Sequence, residues 1–238
     1  MGLTFVRALG SALVAISAAL VVVAAGVLVF LNPLWVGVEQ ARTHADRFTG
    51  YAMDDVHRVT NAILGELLLG PATFLQQVAG VDVFDPRERQ HLADVRGVFL
   101  GFFGVVAVAI VVVAVAGWRA RDRERLWRAV AVGTAVLAGV VMTLGALFAL
   151  FFDAAFDFFH RLFFASGSYT FDPGEERLVQ LFPEDFWSET SIALAAVIVV
   201  LSLGVTVIAV IRMEAAASRT AAPEPVSPSP AAPASPGA

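Results

Sequence analysis

The sequence predicts an all-α polytopic membrane protein with four transmembrane helices and a small extracytoplasmic cap. Four stretches of at least 22 residues contain no Asp, Glu, Lys, Arg or His, and a bilayer core of roughly 30 Å is spanned by about 20 apolar residues. Hydrophobic residues make up 58% of the 238 positions, which leaves no room for a large water-soluble domain. The predicted spans lie at about 9–31, 97–117, 129–151 and 190–211.

The charge distribution predicts how the helices are oriented. Five arginines fall within twelve residues between the second and third spans, and basic residues in short loops stay on the cytoplasmic side. Arg7 precedes the first span and Arg212 follows the last, so both termini are predicted to be cytoplasmic. The segments 39–96 and 152–189 are then extracytoplasmic, and the second contains eight acidic residues against two arginines. We therefore expect a multi-pass protein of the cell membrane with its active face outside.

One membrane domain, residues 1–214, is predicted to include both outer segments. The first apolar run is far longer than the roughly 7–15 apolar residues of a signal peptide, so we expect a retained helix. Residues 215–238 are rich in Pro, Ala and Ser without an apolar pattern. This composition predicts a disordered tail.

The first outer segment has two helix signals. Apolar residues recur at helical spacing from about Met53, which predicts an amphipathic helix ending near Gly70. Further on, Asp85, Pro86 and Glu88 have the order of an N-cap, an N1 proline and an N3 glutamate. The helix that starts there should run unbroken into the second span.

The second outer segment is predicted to begin inside a helix. No residue after Phe152 breaks a helix in the sequence FDAAFDFFHRLFF, so the third span should continue to about Ser166. A second Asp-Pro start at Asp172 predicts a short helix through Leu181, and Pro183 can open the last span.

Two of the four histidines lie beside carboxylates in matching positions. His91 is followed by Asp94 at i+3, and His160 is preceded by Asp157 at i−3 and by Asp153 a further turn back. Both histidines lie about two turns outside an uncharged span, so we expect them at similar depth, with their side chains about 5–8 Å apart if both act on one reacting centre. An imidazole held by a carboxylate suits proton transfer near neutral pH. The alternative for each pair is an ordinary surface contact.

Other kinds of chemistry have weaker support. The chain has no cysteine, which excludes thiol catalysis, and the GxSxG pattern of serine hydrolases is absent. His57 with the two paired histidines and an aspartate could in principle hold zinc, but no HExxH or other close-spaced ligand pair occurs, so we predict neither a metal nor a cofactor. No feature suggests a nucleic-acid partner. The nucleophile of any reaction must therefore come from the substrate or from water.

Two stretches resemble a known family of integral membrane proteins. The sequences DPRERQHLADVRGVF and FDFFHRLFFASGSYTFDPGEERLVQLFPEDFW are similar to those of the family that includes the lipoprotein intramolecular transacylases. The resemblance extends over nearly the whole chain to about Arg212. It implies that His91 and His160 are the catalytic histidines, whereas supporting roles for Asp94, Asp157 and Asp153 follow from their positions alone.

The same resemblance implies a reaction and its partners. The family's transacylases move an acyl chain from the sn-2 position of a diacylglyceryl-modified N-terminal cysteine onto that cysteine's α-amino group, which leaves a lyso-form lipoprotein. The expected partners are membrane lipids and diacylglyceryl-modified lipoprotein N-termini. The alternative function is a non-enzymatic accessory or envelope-sensing protein, whose acidic extracytoplasmic cap binds a partner.

Overall fold

The computed structural model describes residues 2–165 and 167–221, which are almost entirely helical. Two short antiparallel strands, β1 (Gln77–Val78) and β2 (Val81–Asp82), form a hairpin in the first outer segment. The helices of this part of the chain are α1 (Gly2–Phe30), α2 (Pro33–Arg42), α3 (Ala45–Thr49), α4 (Met53–Leu68), α5 (Pro86–Arg119), α6 (Arg123–Leu150), α7 (Phe152–Phe163), α8 (Arg177–Leu181) and α9 (Glu184–Ala221).

Four of these helices, α1, α5, α6 and α9, are long and apolar enough to cross a membrane, which confirms the four predicted spans. They pack against one another through small residues. A side chain at Gly133 of α6 would collide with the carbonyl oxygen of Ala15 in α1, and one at Gly26 of α1 would collide with Ile198 in α9. The helices approach so closely because these glycines have no Cβ, as in other membrane bundles.

The start of α5 confirms the predicted capping box. The Asp85 carboxylate accepts a hydrogen bond of 2.8 Å from the Glu88 backbone N–H, and the Glu88 carboxylate accepts one of 2.7 Å from the Asp85 backbone N–H. The helix then runs without a break for 34 residues, about 51 Å at the α-helical rise. It therefore carries its first turns, with His91, beyond the hydrocarbon core.

The prediction of one unbroken helix through the third span was wrong. The chain breaks at Phe151 (φ −138°, ψ 48°), between α6 and α7. The break falls where an all-apolar stretch gives way to a segment containing Asp153, Asp157 and His160. Because α6 needs lipid on its exposed faces and α7 has one polar side, the two segments need different surroundings, which a straight helix does not provide.

The two outer segments fold together around an apolar core of their own. Helix α4 confirms the predicted amphipathic helix and packs against α5, while α8 closes the other side. The most deeply buried members of this core are Ala45, Val56, Val59, Ile63, Phe74, Val83, Phe84 and Leu181. The cap is thus a packed unit at one end of the membrane bundle.

Two boundaries need correction. Asp172 does not start a helix. Its carboxylate accepts a hydrogen bond of 2.8 Å from the Gly174 N–H and so closes a turn. The next helix, α8, begins only at Arg177. The last helix continues to Ala221, so the predicted tail 215–238 begins inside α9, where Ala-rich sequence has high helix propensity. Residues 222–238 lie outside the described part of the chain.

Candidate active site

The structure brings His91 and His160 together. His91 lies on the second turn of α5, and His160 lies near the end of α7. Their ring centroids are 6.2 Å apart and their planes differ by 22°. This separation lies within the range expected for two groups that act on one reacting centre.

His91 is almost fully enclosed by aromatic side chains. Only 7% of its surface is exposed, and its ring lies 4.8 Å from that of Phe164 and 5.4 Å from that of Phe171. Its Nδ1 atom is buried and has no hydrogen-bond partner among the described residues. Burial away from water favours the uncharged imidazole. The remaining nitrogen, Nε2, is therefore the one that can meet a substrate.

His160 is held by the backbone of its own helix. Its Nδ1 lies 2.8 Å from the carbonyl oxygen of Phe156. Since a carbonyl oxygen can only accept, Nδ1 carries the proton and donates it, and Nε2 of the neutral ring keeps its lone pair. The Phe156 and Tyr169 rings lie 4.1 and 5.0 Å from the imidazole. Burial lowers the pKa of His160, although the hydrogen bond to Phe156 and the charge of Asp157 oppose that change.

Asp157 does not bind His160, contrary to the predicted orienting role. Its carboxylate accepts from the Tyr169 hydroxyl at 3.2 Å and forms an ion pair of 2.7 Å with Arg161. The backbone carbonyl one turn back occupies the nitrogen of His160 that a carboxylate would have bound. Asp157 therefore acts on the imidazole through its charge and through Tyr169.

The other two carboxylates also make no hydrogen bond to an imidazole in the described part of the chain. Asp94 accepts from the Gln90 side-chain amide at 2.9 Å, and its negative charge reaches His91 only through space. Asp153 is exposed. Sharing a helix face was too weak a criterion, because the i+3 spacing brings Cβ atoms near one another without fixing the polar atoms.

Sequence reasoning missed the residues that hold the second outer segment against α5. The Arg87 guanidinium donates to the Thr170 carbonyl at 2.9 Å, pairs with Glu176 at 3.3 Å and lies over the Phe171 ring at 5.6 Å. The Glu88 carboxylate accepts from the Leu178 N–H at 2.7 Å. The sequence contained one signal for this role: Glu88 is an acidic N3 residue that also lies on the buried side of its helix.

The remaining histidines lie in other surroundings. Nε2 of His57 is 3.3 Å from the carbonyl oxygen of Gly37, which places it in a contact between α4 and α2. His44 is exposed in the left-handed region (φ 57°) beside α3. It borders a cavity of about 370 Å³ between α3 and the start of α9 that is also lined by Arg47 and Asp185. Neither paired histidine borders this cavity.

The fold and the site together define a class. The chain is an integral membrane protein whose described residues include four membrane-length helices and an aromatic-enclosed imidazole pair beyond one end of them. Its sequence contains no cysteine. Within that class, the chain belongs to the lipoprotein intramolecular transacylase (Lit) family, whose model matches residues 12–187. The search of curated proteins gives no match.

Solved structures show the same fold. The membrane integral lipoprotein intramolecular transacylase Lit from Bacillus cereus is 17% identical, with a TM-score of 0.71 over 92% of this chain and 99% of that one. Two variants of that protein, with one histidine replaced by arginine or alanine, are 16% identical over 92% of this chain and 96% of theirs, with TM-scores of 0.74 and 0.72.

Proposed function

We propose that this chain is a lipoprotein intramolecular transacylase. It moves the sn-2 acyl chain of a diacylglyceryl-modified N-terminal cysteine onto the α-amino group of the same cysteine and leaves a lyso-form lipoprotein. Membership of the family supports the reaction class, acyl transfer. The observation that carries the assignment of the site is the pair of facing imidazoles, His91 and His160, 6.2 Å apart.

The substrate supplies the nucleophile. The α-amine attacks the ester carbonyl, so a new C–N bond forms and the C–O bond to the glyceryl oxygen breaks. The amine loses one proton and the departing oxygen gains one, so the exchange balances without a co-reactant. This accounts for a site that has acid and base groups but no cysteine, because no acyl-enzyme is needed.

His160 is the better candidate for the base. Its Nδ1–H is held by the Phe156 carbonyl, which leaves the Nε2 lone pair free to accept the amine proton. Burial lowers its pKa, so the ring is neutral and ready to accept at neutral pH. A base whose second nitrogen is fixed keeps one orientation through the reaction.

His91 is then the candidate that serves the oxygen atoms. Its Nδ1 is enclosed, so Nε2–H is the donor that can stabilise the developing oxyanion or protonate the glyceryl oxygen. Such a donor acts more strongly in a site with little water, and the rings of Phe164 and Phe171 beside it exclude water. The same exclusion protects the ester from hydrolysis, since water competes with the amine.

The active face is proposed to be extracytoplasmic. The histidines lie at the end of α5 that is farthest from the arginine-rich connection between α5 and α6, and short basic loops stay in the cytoplasm. A single cysteine at position 122 should therefore react with an impermeant reagent only after the cells are opened. Labelling of intact cells would reverse the orientation.

The function is tested by the position of the acyl chain. The chain is expressed in a bacterium that lacks other lipoprotein N-acylation, and the N-terminal lipopeptide is analysed by tandem mass spectrometry. One N-linked and one O-linked chain at unchanged total mass are expected. His91→Ala and His160→Ala should each lower conversion about 10²–10⁴-fold at unchanged membrane levels, whereas His44→Ala should convert normally. An unchanged lipopeptide pattern with correctly inserted protein would support the partner-binding alternative.

A further inference from the structure

The end of the bundle that is remote from the histidines carries most of the unpaired positive charge. The described residues at this end include eight arginines but only three acidic residues, Asp122, Glu124 and Glu214. The arginines are Arg7, Arg119, Arg121, Arg123, Arg125, Arg128, Arg212 and Arg219. The rest of the chain is strongly acidic, because the whole sequence has a net charge of −5. The protein therefore presents a local positive field at this end.

Internal contacts leave most of that charge free. Asp122 caps α6 by accepting from the Arg125 N–H at 2.9 Å, and Glu124 forms its ion pair with Arg128. Arg7 and Arg121 take part in no ion pair in the described part of the chain. Guanidinium groups without an internal partner are available to an external anion.

A cavity at this end is suited to an amphiphile. It measures about 250 Å³ and lies between the start of α1, the end of α5 and the start of α6. Arg7, Arg125 and Asp122 are its charged lining residues, and its apolar wall includes Val14, Ala116, Leu126 and Ala129. Cationic and apolar surfaces thus meet in one recess at this end of the membrane-length helices.

Arg125 is positioned in advance. Its Nε–H donates to the Ser11 hydroxyl at 2.9 Å, which ties the guanidinium to α1 and leaves its two terminal nitrogens for another acceptor. A fixed guanidinium with two parallel donors matches the geometry of a phosphate. Arg7 is the second cation that lines the cavity.

We propose that this cavity binds the phosphate of an anionic phospholipid. The phosphate lies between Arg7 and Arg125, the glyceryl part contacts the apolar wall, and the acyl chains remain in the surrounding bilayer. A basic recess between membrane helices is the usual form of such sites. A lipid, rather than free phosphate, is favoured because the apolar wall contributes nothing to an inorganic ion. The proposal is independent of the transacylase reaction.

The test measures lipid binding to the purified full-length chain in an uncharged detergent by native mass spectrometry. The probes are phosphatidylglycerol, phosphatidylcholine with the same acyl chains, and inorganic phosphate. We expect bound phosphatidylglycerol, little phosphatidylcholine, and no displacement by phosphate. Equal binding of the two lipids, or displacement by phosphate alone, would overturn the proposal.

Two matched variants locate the site. Arg7→Gln and Arg121→Gln each remove one exposed and unpaired positive charge, but only Arg7 lines the cavity. Arg7→Gln should weaken phosphatidylglycerol binding about fivefold, because one arginine near an anionic lipid is worth about 1 kcal/mol, while Arg121→Gln should leave it nearly unchanged. Equal losses in the two variants would show a diffuse charge effect and reject a site. Because neither side chain forms an ion pair with a described residue, both proteins should fold.

Discussion

Glu88 is expected to hold the active site together although it does not touch either histidine. Only 2% of the residue is exposed, and its carboxylate accepts from the N–H groups of Asp85 and Leu178, both at 2.7 Å. The second bond ties α8 to α5 three residues before His91. Glu88→Ala should therefore loosen the segment that carries Tyr169, and with it the aromatic enclosure.

The size of the effect follows from the two donors. The buried Leu178 N–H left without an acceptor costs about 1–3 kcal/mol. The partly exposed Asp85 N–H can find water, so losing the reciprocal half of the capping box costs about 0.5–1 kcal/mol. Glu88→Ala should thus lower the free energy of unfolding by about 1.5–4 kcal/mol. Glu88→Gln keeps one carbonyl oxygen for Leu178 and should cost about half of that.

The assay combines stability and activity. Thermal unfolding of the purified protein in detergent is followed by tryptophan fluorescence, and conversion of a diacylglyceryl lipopeptide is measured by mass spectrometry at a temperature where all variants are folded. The control is Glu175→Ala, which removes an exposed glutamate whose side chain makes no hydrogen bond in the described structure. Wild-type unfolding temperature and full activity in Glu88→Ala would refute the reasoning.

Three further predictions concern charge and packing. Burial raises the pKa of Glu39 to about 7 from its ordinary 4.5. Between these two values the folded state holds a proton that the unfolded state releases, so the stability should fall as the pH rises from about 5 to 7. Glu39→Gln should flatten that pH dependence of thermal unfolding. Gly133→Val should destabilise by about 1–3 kcal/mol, since its side chain meets Ala15, whereas Gly139→Val has open space and should cost little. Because the pKa of His160 is lowered from 6.5 and the neutral ring is the base, its protonation should slow transacylation only below about pH 6.5. The substrate α-amine, with an ordinary pKa of about 7.7–8.0, adds its own loss at higher pH, so the logarithm of the rate should fall with a slope of about one down to about pH 6.5 and more steeply below; a slope of about two already above about pH 7 would contradict this.

The membrane architecture could be predicted because it depends on local sequence. Lipid removes water as a hydrogen-bonding partner, so an uncharged run of more than 20 residues has few alternatives to a helix. The start of α5 was equally predictable, because Asp85 and Glu88 form a capping box within four residues. The break at Phe151 was not, since no proline or glycine marks it. The position of this break depends on the tertiary contacts that the polar side of α7 makes.

The common depth of the two histidines was predictable from the sequence, but the orientation of their rings was not. Both lie about two turns beyond an uncharged span, so they were expected at a similar depth in the membrane although they are distant in sequence. The orientation of each ring depends on which acceptor atom lies within hydrogen-bonding distance of a ring nitrogen. For His160 that acceptor is the Phe156 carbonyl, which is available on any helix, so neighbouring aspartates were not needed.

The sequence around Glu88 shows how one short motif can serve two purposes. A capping box needs an acidic N3 residue for its own helix, and that requirement alone explains Glu88 from local sequence. The carboxylate has two oxygens, however, and only one is used by Asp85, so the other can bind Leu178 from a segment 90 residues away. Arg87 next to it reaches the same segment through Thr170. The end of α5 that projects from the membrane therefore serves as the anchor for the second half of the site, and the position of the aromatic enclosure depends on where α5 begins.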